Sequence, residues 1–342
     1  MRIYVFDSWK VKGTGESKFL QPVIDHWREL GHEVQTGIWW GPDLVKWAEG
    51  GLCMFFPVDN NLKRASLETP KPANTRIIAE AVDADIYGGQ WKGVNWAWVD
   101  GLVCMSRHML DYMRRNGLPD SVPVHLVPGG VDLSKWTMRR DQRRGYNVAW
   151  IGHYWIAKNL FGALQVFNEL IRRDPASPWR LFVRADERWS PNWWETHCKA
   201  YLVANPRLAE RVTFITQRIA DLNEWLEDKT YVLSTSFKEA YGYSVGECAA
   251  KGIMPIIQNT NGALDIWPRE WVFDVHSQAV DRFINGWYEP ELYRNYVAQC
   301  YPLELRLSLL DRICLPQIRE EDLIPGFAAA LREEFEKEIG VR

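Results

Sequence analysis

The sequence predicts an α/β protein made of two halves, each a parallel sheet covered on both faces by helices. Short apolar segments of strand type alternate with amphipathic segments of helical period along the chain. The alternation begins at residue 2, breaks at a basic stretch near residue 140 and resumes at residue 147. Strands joined by helices form parallel sheets that are buried on both faces, so two such series predict two doubly wound domains.

The first predicted domain spans residues 1–138. It opens with the strand RIYVF, a glycine-bearing loop and the helix SKFLQPVIDHWREL, in which Leu20, Ile24 and Trp27 recur on one face. Further strands are predicted in HEVQTGIWW, TRIIAEAVDAD and GLVCMS; RHMLDYMRRNGL predicts a helix, and VHLVPGGVDL closes the half.

Residues 139–146 are expected to be a linker, because this basic stretch has few apolar residues. The second domain, residues 147–315, has strands in NVAWIG, WRLFVRA, RVTFIT, TYVLSTS and IMPIIQ and helices in NLFGALQVFNELIRR, LNEWLED and SVGECAAKG. Residues 316–342 predict a C-terminal amphipathic helix. Ligands of doubly wound sheets bind beyond the carboxyl ends of the strands, so a cleft between two facing halves is the expected site.

Composition narrows the class of protein. The 342 residues are 46% hydrophobic and 25% charged, as in globular proteins, and the net charge of -3 argues against a protein that coats nucleic acid. Six cysteines without a Cys-x-x-Cys pair predict buried, reduced thiols rather than disulfides or a zinc site. Because no apolar run approaches the roughly 20 residues that span a bilayer, and the N-terminus does not read as a signal peptide, we expect a cytoplasmic protein.

Nineteen tryptophans are far above ordinary usage. An indole suits a protein core, and it also suits the flat faces of sugars and bases. Several stand in polar or glycine-bearing surroundings: Trp39, Trp40, Trp91, Trp96, Trp98, Trp193 and Trp194.

The segment EAYGYSVGE at residues 239–247 carries the clearest chemical signal. Gly242 permits a tight turn, and Ser244 is a good N-cap for the following helix, whose first amides form an anion site. Glu239 and Glu247 then flank that site, where they could accept hydrogen bonds from hydroxyl groups of a nucleotide sugar. SVGE also reads as a capping box in which Glu247 needs no ligand, so the residues alone leave both interpretations open.

The longer segment EAYGYSVGECAAKGIMPII resembles the Glu-x7-Glu segment of GT4-like retaining glycosyltransferases, whose GT-B fold has two Rossmann-like domains facing a cleft. VPGGVDL, WIGHYWIAKN, RVTFIT and QNTNGALDI resemble family segments in the same order, so the resemblance covers about residues 1–265. The positions that fall in step are Glu239, Gly242, Glu247, Gly252, Pro255 and Ile256.

The resemblance implies transfer of a sugar from a nucleotide-sugar donor, UDP-linked first and GDP-linked second, to an acceptor hydroxyl. It implies that Glu247 binds the donor ribose, Glu239 the transferred sugar and Lys158 the diphosphate, where positive charge stabilises the leaving group. No metal or other cofactor is implied. The wider donor-binding set is Gly13, Gly15, His153, Lys158, Arg184, Glu239, Gly242, Tyr243, Ser244 and Glu247.

The chain departs from the family pattern at two places. His153 stands where an arginine is usual, so the diphosphate would be held by a protonated His153 or by Arg184 instead. Gly129 in VPGGVDL stands where asparagine is common.

The sequence DAD at 83–85 matches the Asp-x-Asp metal motif of a different glycosyltransferase architecture. A second doubly wound half with Glu-x7-Glu is foreign to that architecture, so we expect no metal here. Asp83 instead follows a strand where the family often has a residue facing the anomeric carbon, which makes it a candidate catalytic residue, and Asp85 competes for this role.

Two rival functions and the acceptor stay open. A GT-B nucleotide-sugar epimerase would need the donor alone, and a non-catalytic nucleotide-sugar-binding module would bind without turnover. We expect a glycan or lipid acceptor against the first half, near residues 13–17, Asp83 and Trp91 or Trp96. The N-terminus faintly resembles phage α-glucosyltransferases that modify a DNA base, and Arg139, Arg140, Arg143 and Arg144 could contact a phosphate backbone or an anionic membrane.

Overall fold

The computed structural model describes residues 1–9, 19–186, 192–215 and 219–315 and contains two six-stranded parallel sheets. Strands of the first sheet are β1 (Arg2–Asp7), β2 (Glu33–Gly37), β3 (Leu52–Phe56), β4 (Arg76–Ala81), β5 (Gly101–Cys104) and β6 (Val124–Leu126). Strands of the second are β7 (Asn147–His153), β8 (Arg180–Asp186), β9 (Val212–Ile215), β10 (Tyr231–Ser234), β11 (Met254–Gln258) and β12 (Val272–Phe273).

Helices follow most of the strands. Those preceding β7 are α1 (Gln21–Glu29), α2 (Pro42–Trp47), α3 (Asn60–Glu68), α4 (Asp83–Gly88) and α5 (Arg107–Arg115). The later ones are α6 (Leu160–Arg173), α7 (Asn192–Ala204), α8 (Pro206–Ala209), α9 (Leu222–Trp225), α10 (Tyr243–Ala250), α11 (Ala263–Ile266), α12 (His276–Asn285), α13 (Pro290–Cys300) and α14 (Leu303–Cys314). This pattern confirms the predicted α/β class with two parallel, doubly wound sheets.

Chain contacts divide the protein into two compact units. The first contains Met1–Met105, Leu110–Val127 and the chain from Glu304 onward; the second contains Ser106–Met109 and Pro128–Leu303. Residues 304–315, which the sequence assigned to the second domain, therefore pack with the first unit. The predicted C-terminal helix at 316–342 lies outside the described residues.

The first sheet has the order β2-β1-β3-β4-β5-β6. Successive residues of β1 face opposite sides of the sheet, and Ile3 and Tyr4 are 0% and 4% exposed, so both faces are covered. Ile24 and Trp27 on α1 are both 0% exposed. The predicted apolar face of α1 is thus buried. β3, a short apolar run bounded by glycines and proline, was missing from the sequence prediction although it lies beside β1.

The second sheet has the order β12-β11-β10-β7-β8-β9. Residues 139–146, expected to be a linker, belong to this unit. Arg139 is only 4% exposed, and the Arg144 guanidinium donates to Tyr231 Oη at 2.7 Å and to the carbonyl of Phe283. Arg140 pairs with Glu224 and Glu227, and Arg143 pairs with Asp141. These arginines therefore make structural contacts within the unit.

The six cysteines are free thiols, and five of them are buried. Within the described part of the chain, no helix combines the length and apolar character needed to cross a membrane.

Candidate functional site

The loops after β7 and β10 meet at the point where the second sheet reverses its order. Read from β9, the strands run β9-β8-β7-β10-β11-β12, so the chain builds outward from β7 in both directions. Ligands of open parallel sheets bind at such a switch point, beyond the carboxyl ends of the strands. Two hydrogen bonds tie the loops together: the Phe237 amide donates to the Ala157 carbonyl at 2.8 Å, and Thr235 Oγ1 donates to the Asn159 carbonyl at 2.8 Å.

An ion pair joins these two loops at the sheet edge. Lys158 Nζ contacts Glu239 Oε1, and Ser236 Oγ donates to the same oxygen at 2.8 Å. The Lys158 and Glu239 side chains keep 23% and 22% of their surface exposed, so a ligand can reach both. The structure therefore brings together two of the three predicted catalytic residues.

Helix α10 begins at Tyr243, immediately after Glu239–Gly242. Its N-cap is Gly242, with φ +83° and ψ +58°, a left-handed conformation that glycine adopts at little cost. The carbonyl of Gly242 accepts from the amides of Val245 and Gly246, which fixes the helix start there.

This start corrects the predicted capping arrangement. Ser244 was expected to be the N-cap with Glu247 in the first turn, but Ser244 is the second helical residue and no acidic residue lies in the first turn. The chain enters the helix two residues earlier because Gly242 makes the bend. The capping box, which needs Ser244 at the cap, does not describe this helix.

One face of α10 is accessible. Tyr243, Ser244 and Glu247 are half-buried, whereas the other residues of the helix are buried. These three positions follow the i, i+1, i+4 spacing of a single helix face. All three belong to the predicted donor-binding set, so the structure presents them together next to Glu239.

A second helix starts at the same edge. Asn159, with φ +50°, caps α6, and its Oδ1 accepts from the Gly162 amide at 3.0 Å. Helix N-termini carry partial positive charge and amides that lack intrahelical acceptors. The starts of α6 and α10, together with Lys158, therefore make this edge favourable for an anion.

His153 and Arg184 lie on the adjacent strands. His153 is the last residue of β7 and is half-buried, and Arg184 lies two residues before the end of β8, in register with Ile151. Both positions are near the carboxyl edge of the second sheet, where the predicted contribution to anion binding would be made.

Gly129 is explained by close packing. A Cβ added there would lie 2.3 Å from Cδ1 of Tyr241, so the tyrosine ring occupies the space that a side chain at 129 would need. Tyr241 is 1% exposed and also contacts Gly246. It lines a small cavity beside Glu239 and Gly242 with about 10 Å³ of free volume, room for about one water molecule.

The remaining predicted residues are in the first unit. Asp83 is the first residue of α4 and is half-buried, whereas Asp85 is 3% exposed, so Asp83 is the more accessible of the two. Gly13 and Gly15 lie outside the described residues. Among the described residues, no group of three or more His, Cys, Asp or Glu side chains is placed to hold a metal ion.

Comparison with known proteins places the fold. No family model and no curated protein sequence matches the chain. Among solved structures, HepE from Anabaena in complex with UDP superposes with a TM-score of 0.68 at 12% identity, covering 91% of this chain and 99% of that one. The lipopolysaccharide outer core galactosyltransferase WaaB in its apo form gives 0.66 at 13% identity, covering 93% and 100%.

TarM from S. aureus gives a TM-score of 0.65 at 13% identity and covers 80% of this chain. This chain spans 57% of the length of TarM. At these identities the comparisons establish the fold, which is GT-B, as the resemblance implied.

Proposed function

We propose that this protein is a GT-B glycosyltransferase that moves a sugar from a nucleotide-sugar donor to an acceptor hydroxyl with retention of anomeric configuration. The donor is UDP-linked in the first instance and GDP-linked in the second. Transfer of a hexose without a metal ion follows from the same family resemblance. HepE, a structural neighbour, has been solved with UDP-glucose, which supports the choice of nucleotide.

The observation that carries the proposal is the Lys158–Glu239 ion pair at the switch point of the second sheet. It combines a cation for a diphosphate with a carboxylate for sugar hydroxyls, beside two helix N-termini. A purely structural ion pair would not require the accessible face of Tyr243, Ser244 and Glu247 next to it.

Each group has a role in the proposed reaction. Lys158 and the first amides of α10 stabilise the negative charge that develops on the leaving diphosphate. Glu239 accepts hydrogen bonds from the transferred sugar, and Glu247 from the ribose. By the family resemblance, Asp83 positions the acceptor hydroxyl, and the leaving phosphate helps to remove the proton of that hydroxyl.

The first experiment is a thermal-shift screen with UDP-glucose, UDP-galactose, UDP-GlcNAc and GDP-mannose. Binding to the native state alone raises the melting temperature with donor concentration. Donors that raise it are then tested for hydrolysis. A protein that none of them stabilises would not support the proposal.

The decisive variants are Glu247→Ala and Lys158→Ala. We expect Glu247→Ala to abolish the donor-dependent thermal shift while the free protein keeps its melting temperature, since alanine is a good helix former. Lys158→Ala should keep donor affinity within about tenfold and lower turnover by roughly 100-fold, the usual cost of losing one charge-stabilising group. Glu291→Ala, an exposed glutamate on α13, is the matched control. If Glu247→Ala bound the donor as tightly as the wild type does, the proposed role of Glu247 in donor binding would be wrong.

The same assays separate the rival functions. Conversion of donor alone to its epimer indicates an epimerase, and donor binding without turnover across a panel of acceptors indicates a binding module. Proton NMR of the anomeric signal in the product then decides between retention and inversion.

A further inference from the structure

Trp39 in the first unit is exposed to an unusual degree. Trp91 and Trp98, which the sequence analysis had singled out with it, are 2% and 3% exposed and belong to the core. Trp39 is 74% exposed and lies two residues past the end of β2. Leaving an indole in water forgoes about 2 kcal/mol or more of burial free energy, so an exposed indole on a fixed backbone is a candidate binding surface.

The backbone on both sides of Trp39 is held by one buried side chain. Asn61 donates from Nδ2 to the Ile38 carbonyl at 3.0 Å, and its Oδ1 accepts from the Trp40 amide at 3.2 Å. Asn61 is itself 8% exposed. The exposed indole is therefore displayed by a fixed loop, which is the property of a preformed binding surface.

Further hydrogen bonds connect Asn61, and through it the loop of Trp39, to the carboxyl ends of β1 and β3. Asp59, the N-cap of α3, accepts from the Asn61 amide at 2.8 Å and from the Ser8 side chain. Ser8 precedes Trp9, whose amide donates to Asp7 at 3.1 Å. Loops from three adjacent strands are thus joined at the switch point of the first sheet, between β1 and β3.

Trp9 supplies a second partly exposed indole at this edge. It packs edge-on against Phe56, with ring centroids 5.3 Å apart, and keeps 37% of its surface exposed. Trp9 and Trp39 each stand two residues past the end of their strand, and β1 and β2 are paired in register at Phe6 and Gly37. Both indoles therefore lie beyond the same end of neighbouring strands.

We propose that Trp39 and Trp9 form a stacking surface for the pyranose rings of a neutral oligosaccharide. The apolar C–H face of a pyranose packs on an indole, while its hydroxyl groups bond to polar groups around the rings. Given the proposed function, this surface binds a carbohydrate acceptor.

Local charge favours a neutral carbohydrate over a nucleic acid. The charged residues of β2, of the loop that carries Trp39 and of the start of α2 are Glu33 and the exposed Asp43, and the next lysines in sequence are Lys46 on α2 and Lys10 beside Trp9. Arg64 lies over the Trp40 ring, 5.4 Å from its centroid, but is paired with Glu68 at 3.0 Å. The charged side chain nearest to Trp39 in sequence is the carboxylate of Asp43, which accepts hydrogen bonds from sugar hydroxyls and repels a phosphate backbone.

The test is saturation-transfer-difference NMR and titration of the full chain with maltohexaose, cellohexaose and chitohexaose, with the single-stranded oligonucleotide dT12 in parallel. We expect at least one hexasaccharide to bind and Trp39→Ala to weaken it at least tenfold, with Trp9→Ala weakening it less. Trp287→Ala, which removes a tryptophan that is 78% exposed in the second unit, should leave binding unchanged. Thermal melts of each variant confirm that it is folded.

Three outcomes would overturn the proposal: no hexasaccharide binds, Trp39→Ala binds as well as the wild type, or dT12 alone binds in a Trp39-dependent manner. Hydrolysis of nucleotide-sugar donor by the same preparations is measured separately. Loss of sugar binding with intact donor hydrolysis would count against this surface alone, and the reverse would count against the proposed function alone.

Discussion

Glu239 and Lys158 show at the scale of single residues what the structure adds. The resemblance assigned them to different parts of a donor, and the structure pairs them with each other and with Ser236. Each of the two side chains therefore orients the other. Under the proposed function, a diphosphate and a sugar replace this pairing, so neither charge is buried alone at any stage.

Tyr241 is the buried neighbour of this pair. Burial raises the pKa of the Tyr241 hydroxyl well above its usual value, and electrostatic interaction with Tyr243 and Tyr296 raises it further. The side chain is therefore a neutral phenol. No described protein group forms a hydrogen bond with its Oη. An unsatisfied buried hydroxyl disfavours the folded state.

We therefore expect Tyr241→Phe to leave the free energy of unfolding unchanged or raise it by up to about 1 kcal/mol. Urea denaturation followed by circular dichroism measures this difference. Tyr241→Leu, in contrast, removes the buried aromatic ring and should lower the free energy of unfolding. A loss of more than about 1 kcal/mol in Tyr241→Phe would show that the hydroxyl has a partner that stabilises the fold.

At the scale of elements, helices with a clear apolar period were predictable. The predicted face of α1 is buried, including Trp27, and Leu164 and Phe167 of the predicted helix α6 are buried as well. The start of α10 was not predictable, because Ser244 is the better cap by residue type and only the left-handed Gly242 moves the helix start upstream. The hydrogen bonds that fix the backbone around Trp39 were equally hidden, since they come from Asn61, which is distant in sequence.

Gly129 packs against Tyr241, the residue just before the N-cap of α10, and this contact can be tested by substitution. Gly129→Ala should cost roughly 1–3 kcal/mol, because its Cβ would meet the Tyr241 ring at 2.3 Å and both partners are confined. Gly88→Ala is the control, since its Cβ would meet only Cγ of Gln90, at the ordinary van der Waals distance of 3.9 Å. Thermal and urea unfolding report both.

The double variant Gly129→Ala/Tyr241→Leu tests whether the Tyr241 ring causes the loss of stability in Gly129→Ala. If the ring is responsible, the double variant should lose less stability than the sum of the two single losses. If the two single losses in stability simply add, the ring is not the cause, and Gly129 is needed for its backbone conformation instead.

At the scale of the molecule, the last described helix returns to the first unit. Arg306 on α14 pairs with Glu80 on β4 at 2.6 Å, and the two side chains are 2% and 0% exposed. Asp311 accepts from Trp27 Nε1 at 2.9 Å and contacts His26 at 2.7 Å. These partners are more than 220 residues apart in sequence, so no local pattern could have assigned α14 to the first unit.

The buried pair predicts how the first unit responds to a single change. Arg306→Met should destabilise it by about 3–5 kcal/mol, because Glu80 is left charged and unpaired in the interior. Arg312→Met, on the exposed side of the same helix, is the matched control and should change stability by less than about 0.5 kcal/mol. Urea unfolding monitored by hydrogen exchange in β4 assigns the loss to this unit.

Replacing both partners of the buried ion pair shows whether Arg306→Met is destabilised by the unpaired charge of Glu80 or by lost packing. Arg306→Met/Glu80→Leu should recover most of the stability that Arg306→Met loses, since apolar pairs of similar volume replace buried ion pairs with little cost. Donor binding at the second sheet should be the same in all these variants below the unfolding transition, because Lys158, Glu239 and α10 belong to the other unit. If Arg306→Met alone lowered donor affinity without lowering stability, the role assigned to α14 as an anchor of the first unit would have to be replaced by one in ligand binding.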